Sequence, residues 1–230
     1  MLSAKHFISL IIPTWNEEKN IGKVIEGAKA ELDKMGYPYE IIVVDKYSKD
    51  KTVEIAKRLG AKVIYDAYGK GSALVKGMKL AKGDILISMD ADLSNRPSEL
   101  KLLVDAIDIG YDVCLGSRFI TGGGSEDMPL IRKLGNKFFV MLVNLLFNAH
   151  YTDMCYGYRS FAKKAFNKLS LKEKGFGIET EMNIEIAKKR LKAIEVPSFE
   201  KKRAHGIGNL KTFRDGYVIL KTILKNIFRK

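Results

Sequence analysis

Two cysteines leave little for sulfur chemistry to do in this 230-residue chain. Cys114 and Cys155 form neither a zinc-type spacing nor a disulfide framework. Cys114 lies in an apolar, strand-like run and reads as a buried thiol, so a reducing compartment is expected. Histidine is scarce too. None of His6, His150 and His205 stands with a serine in a triad-like pattern, and no catalytic role is assigned to them. No apolar stretch reaches the roughly 18 residues needed to span a bilayer. The longest, 138–147, is interrupted by Asn144 and reads as a buried or interfacial helix. A signal-peptide pattern is missing, because residues 1–5 lead straight into a strand. Internal repeats and low-complexity linkers are absent. Acidic residues are in short supply, 27 against 40 basic, for a net charge of +13. That excess points to an anionic partner, whether nucleic acid, an anionic membrane surface or a phosphorylated substrate. No RRM, KH, zinc-finger or basic-zipper signature accompanies it, so no nucleic-acid partner is expected.

What is present is an alternation of short apolar runs with helical periods. Runs at 7–12, 40–44, 62–65, 84–89 and 112–115 have the length and make-up of buried strands. Between them, 17–35, 50–59, 72–81 and 97–109 read as helices. Asn16 is a plausible N-cap for the first, and Pro97 suits the first position of the last. This βαβα order predicts an α/β fold, a Rossmann-like, mostly parallel sheet flanked by helices. The second half changes character. Residues 120–125 contain three consecutive glycines and read as a mobile loop. Helices are expected at 129–147 and 179–190, with a late strand at 194–196. In the tail, Phe213, Tyr217, Leu220, Leu224 and Ile227 alternate with Lys211, Arg214, Lys221, Lys225, Arg229 and Lys230. That is a basic amphipathic helix, suited to an interfacial membrane anchor, to docking on a partner, or to simple packing on the core.

The sharpest feature is Asp90-Ala91-Asp92, which closes the apolar run 84–89. The carboxyl edge of an open α/β sheet is where ligands bind. Side chains two apart on a strand share a face, so both acids are expected to meet one cation. Mg²⁺ or Mn²⁺, with oxygen ligands and positions left open for a diphosphate, suits such a pair.

Several further segments follow in order: PTWNEEKNI (13–21), VDKYSKD (44–50), GKGSALVKG (69–77), GDILISMDADL (83–93) and GSRF (116–119). Together they resemble the inverting GT-A glycosyltransferases of family 2, in particular the polyprenyl-phosphate branch. The resemblance continues through 132–148, 153–159, 175–181 and 203–210. It implies one GT-A domain over 1–230, with a nucleotide-sugar part (1–115), an acceptor part (116–205) and C-terminal amphipathic segments (206–230). It also implies transfer of a sugar from GDP-mannose or a UDP-sugar to a polyprenyl or dolichyl phosphate at the cytoplasmic face of a membrane. A small membrane-protein partner is possible within that picture.

By the same resemblance, Pro13, Trp15 and Glu17 hold the nucleotide, Asp45 and the backbone beside it at Val43 meet the nucleoside, and Asp90, Ala91 and Asp92 form the metal and diphosphate turn. Lys70 in the Gly-rich loop meets phosphate or is merely solvated. Arg118, Arg132 and Arg203 face the diphosphate or the acceptor phosphate, with Asp92, Arg118 and Arg132 as the catalytic set. Glu179 or Glu181 orients sugar or acceptor, or lies on a helix surface. The chain also departs from the family pattern. Asp45 is followed by Lys46, Tyr47 and Ser48 where Asp-Asp-Gly-Ser is common. Ser94 stands in place of a Gln, Gly208-Asn209 in place of a Ser-Lys pair, and Gly135 in place of a serine. These changes leave sugar, base and acceptor open. They also leave room for a glycan or soluble acceptor, or for a non-catalytic, membrane-docked module.

Overall fold

The computed structural model describes residues 6–205 and 212–229. Gly208, Asn209, Lys211 and Lys230 lie outside the described residues, as does the start of the chain. In order, the elements are β1 (Ile8–Thr14), α1 (Ile21–Met35), β2 (Tyr39–Asp45), α2 (Thr52–Arg58), β3 (Lys62–Tyr65), α3 (Lys70–Leu80) and β4 (Ile85–Ser88). A 3₁₀ turn at Pro97–Glu99 leads into α4 (Leu100–Asp108), followed by β5 (Val113–Ser117), β6 (Gly124–Ser125) and α5 (Leu130–Phe147). The remainder comprises β7 (Arg159–Ala162), α6 (Lys163–Phe166), α7 (Ile178–Lys188), β8 (Ala193–Pro197), β9 (Phe199–Glu200) and α8 (Thr212–Ile227).

Seven strands form one sheet in the order β3-β2-β1-β4-β7-β5-β8, with β7 antiparallel to both its neighbours and the other pairings parallel. The strands alternate inward on both faces, as a doubly covered sheet requires. Ile8, Leu10 and Ile12 of β1, with Ile41 and Val43 of β2, pack under α1 and α4. Ile11, Ile42, Val44 and Leu86 pack on the other side under α3 and α7. Helix α3 lies very close to the sheet: a methyl at Gly77 would sit 2.6 Å from Ile11 Cγ2 and 2.9 Å from Val44 Cγ2. From β1 the chain moves outward to β2 and β3, then returns to β4 on β1's other side. The carboxyl ends of β1 and β4 therefore flank a topological switch point, the usual ligand crevice of such sheets.

Three expectations are corrected, and one strand was not expected. Asn16 does not cap α1, which begins at Ile21. It sits at φ 55° in a turn, where its side-chain oxygen accepts a bond from the Lys49 amide at 2.9 Å. The 120–125 loop is tied down rather than free: Gly124 and Ser125 pair in parallel with Phe199 and Glu200. Lys70 is the first residue of α3 rather than a loop residue. The antiparallel β7, between β4 and β5, has no counterpart in the sequence reading.

The two amphipathic segments expose their apolar residues. In α5 only Asn136 and Val143 are buried, while Leu134, Phe138, Met141 and Leu145 face out. Helix α8 packs on α5 and α7 through Ile219, Thr222, Ile223 and Asn226, over a buried Asp215. Its other stripe is open, with Phe213 85% and Tyr217 65% exposed and Leu224 also exposed. No helix among the described residues is long and apolar enough to cross a membrane.

Candidate active site

The switch-point edge is built from the ends of β1, β2 and β4. Beyond β4, Ala91 turns into the core while the flanking Asp90 and Asp92 stay partly open. The turn is fixed locally: the Asp90 amide donates to Asn95 Oδ1 at 2.7 Å, and the Ser94 amide donates to Asp92 Oδ1 at 3.0 Å. Both acids stand past the end of β4, and each meets a different protein cation. Asp90 Oδ1 is 2.8 Å from Lys70 Nζ, and Asp92 Oδ2 is 2.8 Å from Arg203 Nη2.

Each of those cations holds a second acid. Lys70 Nζ is 2.9 Å from Glu179 Oε1 at the start of α7. Burial opposes the charge of Lys70, but Asp90 and Glu179 outweigh it and hold the ammonium above the ordinary lysine range. Gly157 lines this trio closely: a methyl there would lie 3.0 Å from Lys70 Nζ, 3.3 Å from Glu179 Oε1 and 3.4 Å from Asp90 Oδ2. Arg203 Nη1 is 3.1 Å from Glu17 Oε1, and Asn20 Nδ2 donates to Glu17 Oε2 at 2.6 Å. Burial pushes the Glu17 carboxyl up, despite the bonds from Asn20 and Arg203.

A divalent cation fits this donor set. Both acids present hard oxygens toward positive charge, and protein cations already stand at each of them. Among the described residues no group of three or more His, Cys, Asp or Glu could hold a metal. Further ligands would therefore come from water or a diphosphate.

On the nucleoside side, Trp15 is 46% exposed, and Lys46 Nζ stands 5.0 Å from its ring centroid. The rings of Tyr47 and Tyr65 stack at 5.2 Å, with Tyr47 at φ 55° where a turn glycine is common. Pro13 is half-buried on β1 opposite Val44. Two of the expected contacts lie inside the fold. Val43 is in the ladder between Ile12 and Val63, with its side chain in the core. Asp45 is fully buried and accepts from Thr14 Oγ1 at 2.9 Å, Ser48 N at 2.7 Å and Ser48 Oγ at 2.6 Å. It organises the 45–48 turn instead of presenting an open carboxylate.

Arg118 differs most from expectation. Its guanidinium grips Asp153 through Nε–Oδ2 at 2.7 Å and Nη2–Oδ1 at 2.9 Å, and reaches Glu200 at 3.0 Å. It also lies 4.7 Å from the Tyr156 ring centroid. With an 8% exposed side chain over a fully buried Asp153 carboxylate, it ties β5 to β9 and to the 152–156 segment. A fork so engaged is not offered to a phosphate. Arg132 stands in the first turn of α5, half-buried.

Sequence reasoning missed Asn95, Gly157, Asp153 and Glu200. Asp153 and Gly157 fall in a segment that carries the resemblance. Asn95, three residues beyond Asp92, could have been suspected as a brace for that turn.

Residues 9–170 match the family described as glycosyl transferase family 2. A dolichol-phosphate mannosyltransferase from Pyrococcus furiosus is 36% identical, over 89% of this chain and 59% of that protein. The chain thus spans well under two thirds of that relative. A protein of Methanocaldococcus jannaschii, described only as uncharacterized, is 33% identical over 97% of this chain and 94% of its own length. Among solved structures, glucosyl-3-phosphoglycerate synthase from Mycobacterium tuberculosis, in complex with Mn²⁺, UDP and glucosyl-3-phosphoglycerate, gives a TM-score of 0.77. That match covers 96% of this chain and 80% of the other at 22% identity, a likeness of fold alone.

Proposed function

The chain belongs to glycosyl transferase family 2 and has the GT-A fold; from that premise we propose that it moves a sugar from GDP-mannose or a UDP-sugar to a polyprenyl or dolichyl phosphate at a membrane surface, inverting the anomeric centre. One arrangement supports both halves of this reading. Helix α7 touches the Lys70–Asp90 pair as well as α5 and α8, both of which carry uncovered apolar residues. The first turn of α7 supplies Glu179 to the Lys70–Asp90 pair. The same turn lies against α8, where a methyl on Gly177 would sit 2.7 Å from Thr222 Oγ1. The open apolar residues of α5 and α8 are interspersed with Lys133, Lys137, Arg214, Lys221 and Lys225, as an interfacial helix on anionic lipid requires. The kinship with a dolichol-phosphate mannosyltransferase points the same way.

The chemistry asks little of a general base. A phosphate monoester is already an anion near neutral pH. One of its oxygens forms a bond to the anomeric carbon as the bond from that carbon to the nucleoside diphosphate breaks, and the electron pair leaves with the nucleotide. The protein must hold two anions together and screen their repulsion. Lys70 and Arg203 bring positive charge to the edge where the diphosphate would lie, and Trp15 offers a flat face to the base or ribose. Asp90 and Asp92 would hold Mg²⁺ or Mn²⁺, which supplies charge stabilisation on the departing diphosphate. Arg132, in the first turn of α5, is the cation best placed along the chain to meet an acceptor held by the apolar face.

The test is transfer from a panel of UDP- and GDP-sugars, with Mg²⁺ or Mn²⁺ and a short polyprenyl phosphate, in wild type and Asp92→Ala. Label entering the lipid phase with one donor, and lost in the variant, supports the reading and identifies the donor. Donor hydrolysis without lipid product moves the acceptor to a glycan or soluble molecule. Absence of donor binding refutes the assignment.

A further inference from the structure

Arg203 stands on Asp92, one of the two acids proposed to hold the metal ion. Its Nη2 is 2.8 Å from Asp92 Oδ2 while its Nη1 is 3.1 Å from Glu17 Oε1. A divalent cation on Asp92 would stand within a few ångströms of this guanidinium, and like charges that close repel in a partly desolvated cleft. The segment that carries Arg203 is held lightly across the Asp90–Asp92 turn. Besides the Arg203 ion pairs, its bonds among the described residues are Lys201 N to Ser94 O at 2.8 Å, Ala204 N to Asp92 O at 3.3 Å, Lys202 N to Glu126 Oε2 at 3.2 Å, and Asn20 Nδ2 to His205 O at 3.3 Å. Three of these four are at or beyond the long end of the normal N–H···O range. Lys70, which also meets two acids, is by contrast rooted in α3.

We propose that Arg203 is an exchangeable counter-ion that couples metal binding to diphosphate binding. Without ligand it neutralises Asp92 and Glu17. A metal ion arriving alone must displace it from Asp92, and nothing replaces the lost partner. A metal ion arriving with a nucleoside diphosphate brings the anion that a planar guanidinium fork suits best. Arg203 then trades carboxylate for phosphate at little net cost. The metal site is accordingly weak by itself and strong with nucleotide, and one side chain sets the difference. This inference rests on the functional reading above, since it takes Asp90 and Asp92 as the metal-holding pair.

The experiment is Mn²⁺ titration of the full chain followed by electron paramagnetic resonance, with Mn²⁺ alone and with UDP or GDP, and no sugar donor. Wild type, Arg203→Gln and Arg203→Lys are compared, and all three are checked by thermal melting. Arg203→Gln should bind Mn²⁺ alone at least about tenfold tighter than wild type, the effect of removing one charge-assisted competitor. It should also lose most of the tightening that nucleotide brings. Arg203→Lys keeps a competing cation and should track wild type. Should Arg203→Gln fail to fold, Arg203→Met takes its place with the same expectation. Equal or weaker Mn²⁺ binding by the neutral variants, while wild type still binds Mn²⁺ with nucleotide, overturns the exchange and leaves the functional reading standing. No binding of Mn²⁺ with nucleotide by any form overturns both.

Discussion

Arg118 offers the cleanest test of a structural reading against a chemical one. Substituting Met removes two bonds to Asp153, at 2.7 and 2.9 Å, and one to Glu200 at 3.0 Å. Asp153 then keeps only amide donors, from Cys155 at 3.2 Å and from residue 118 itself at 3.3 Å, for a carboxylate with no exposure to water. Stranding a buried charge in this way costs about 3–5 kcal/mol. For a chain of this size each kcal/mol lowers the melting temperature by about 2–4 °C. Arg118→Met should therefore melt on the order of 6–20 °C below wild type in a calorimetric or circular-dichroism scan. The double variant Arg118→Met/Asp153→Asn removes the stranded charge and should recover part of the loss, with a coupling of about 2–3 kcal/mol. Arg118→Lys keeps the charge without the fork and should fall between. If Arg118 instead served a phosphate, its removal would raise the donor KM and leave the melt unchanged. A melting temperature within about 2 °C of wild type would refute the clamp.

Three further outcomes are expected. Gly77→Ala should destabilise by about 1–3 kcal/mol in a urea melt, because its methyl has no space beside Ile11 and Val44; a neutral result would mean α3 can move off the sheet. Burial pushes the Cys114 thiol up to about 12, and burial together with Asp153 does the same for Cys155. Thiolate appears only as pH climbs toward those values, so iodoacetamide at pH 8 should label the native chain on the order of a thousandfold more slowly than an ordinary cysteine. Rapid labelling of either residue would show that its surroundings open. Leu145, 79% exposed on α5, should tolerate Glu with little change in melting. The same change should weaken co-sedimentation with anionic vesicles by about tenfold or more; unchanged binding would remove α5 from the proposed membrane face.

The legibility of the fold followed from local signals. Apolar runs bounded by acids and glycines marked β1, β2, β3 and β4, and the strand 62–65 matched to the residue. Strand β7 was not legible. Arg159-Ser160-Phe161-Ala162 is short and half polar, and it is a strand only because β4 and β5 flank it. The helical period of α8 was readable, but which stripe is covered was not. Ile219 and Ile223 are buried with Thr222 and Asn226, while the more apolar stripe faces out. In the site, the Asp90/Asp92 turn was legible as the end of an apolar run, whereas the pairing of Lys70 with Asp90 was not. Asp45 and Arg118 have the residue types of ligand contacts, yet their bonding is satisfied within the protein.

From the sequence alone came the periodicity of the strands, the two acids past the end of β4, the positive charge and the family pattern, all properties of neighbouring residues. Partners in the site were decided only by the tertiary structure. Arg203 meets Glu17 across 186 positions, and Arg118 meets Glu200 across 82. A partly open arginine and one buried on its carboxylates look alike in sequence. Each meets two acids, and what separates them is burial and the two-pronged grip of Arg118 on Asp153, both of which arise only when distant segments pack together.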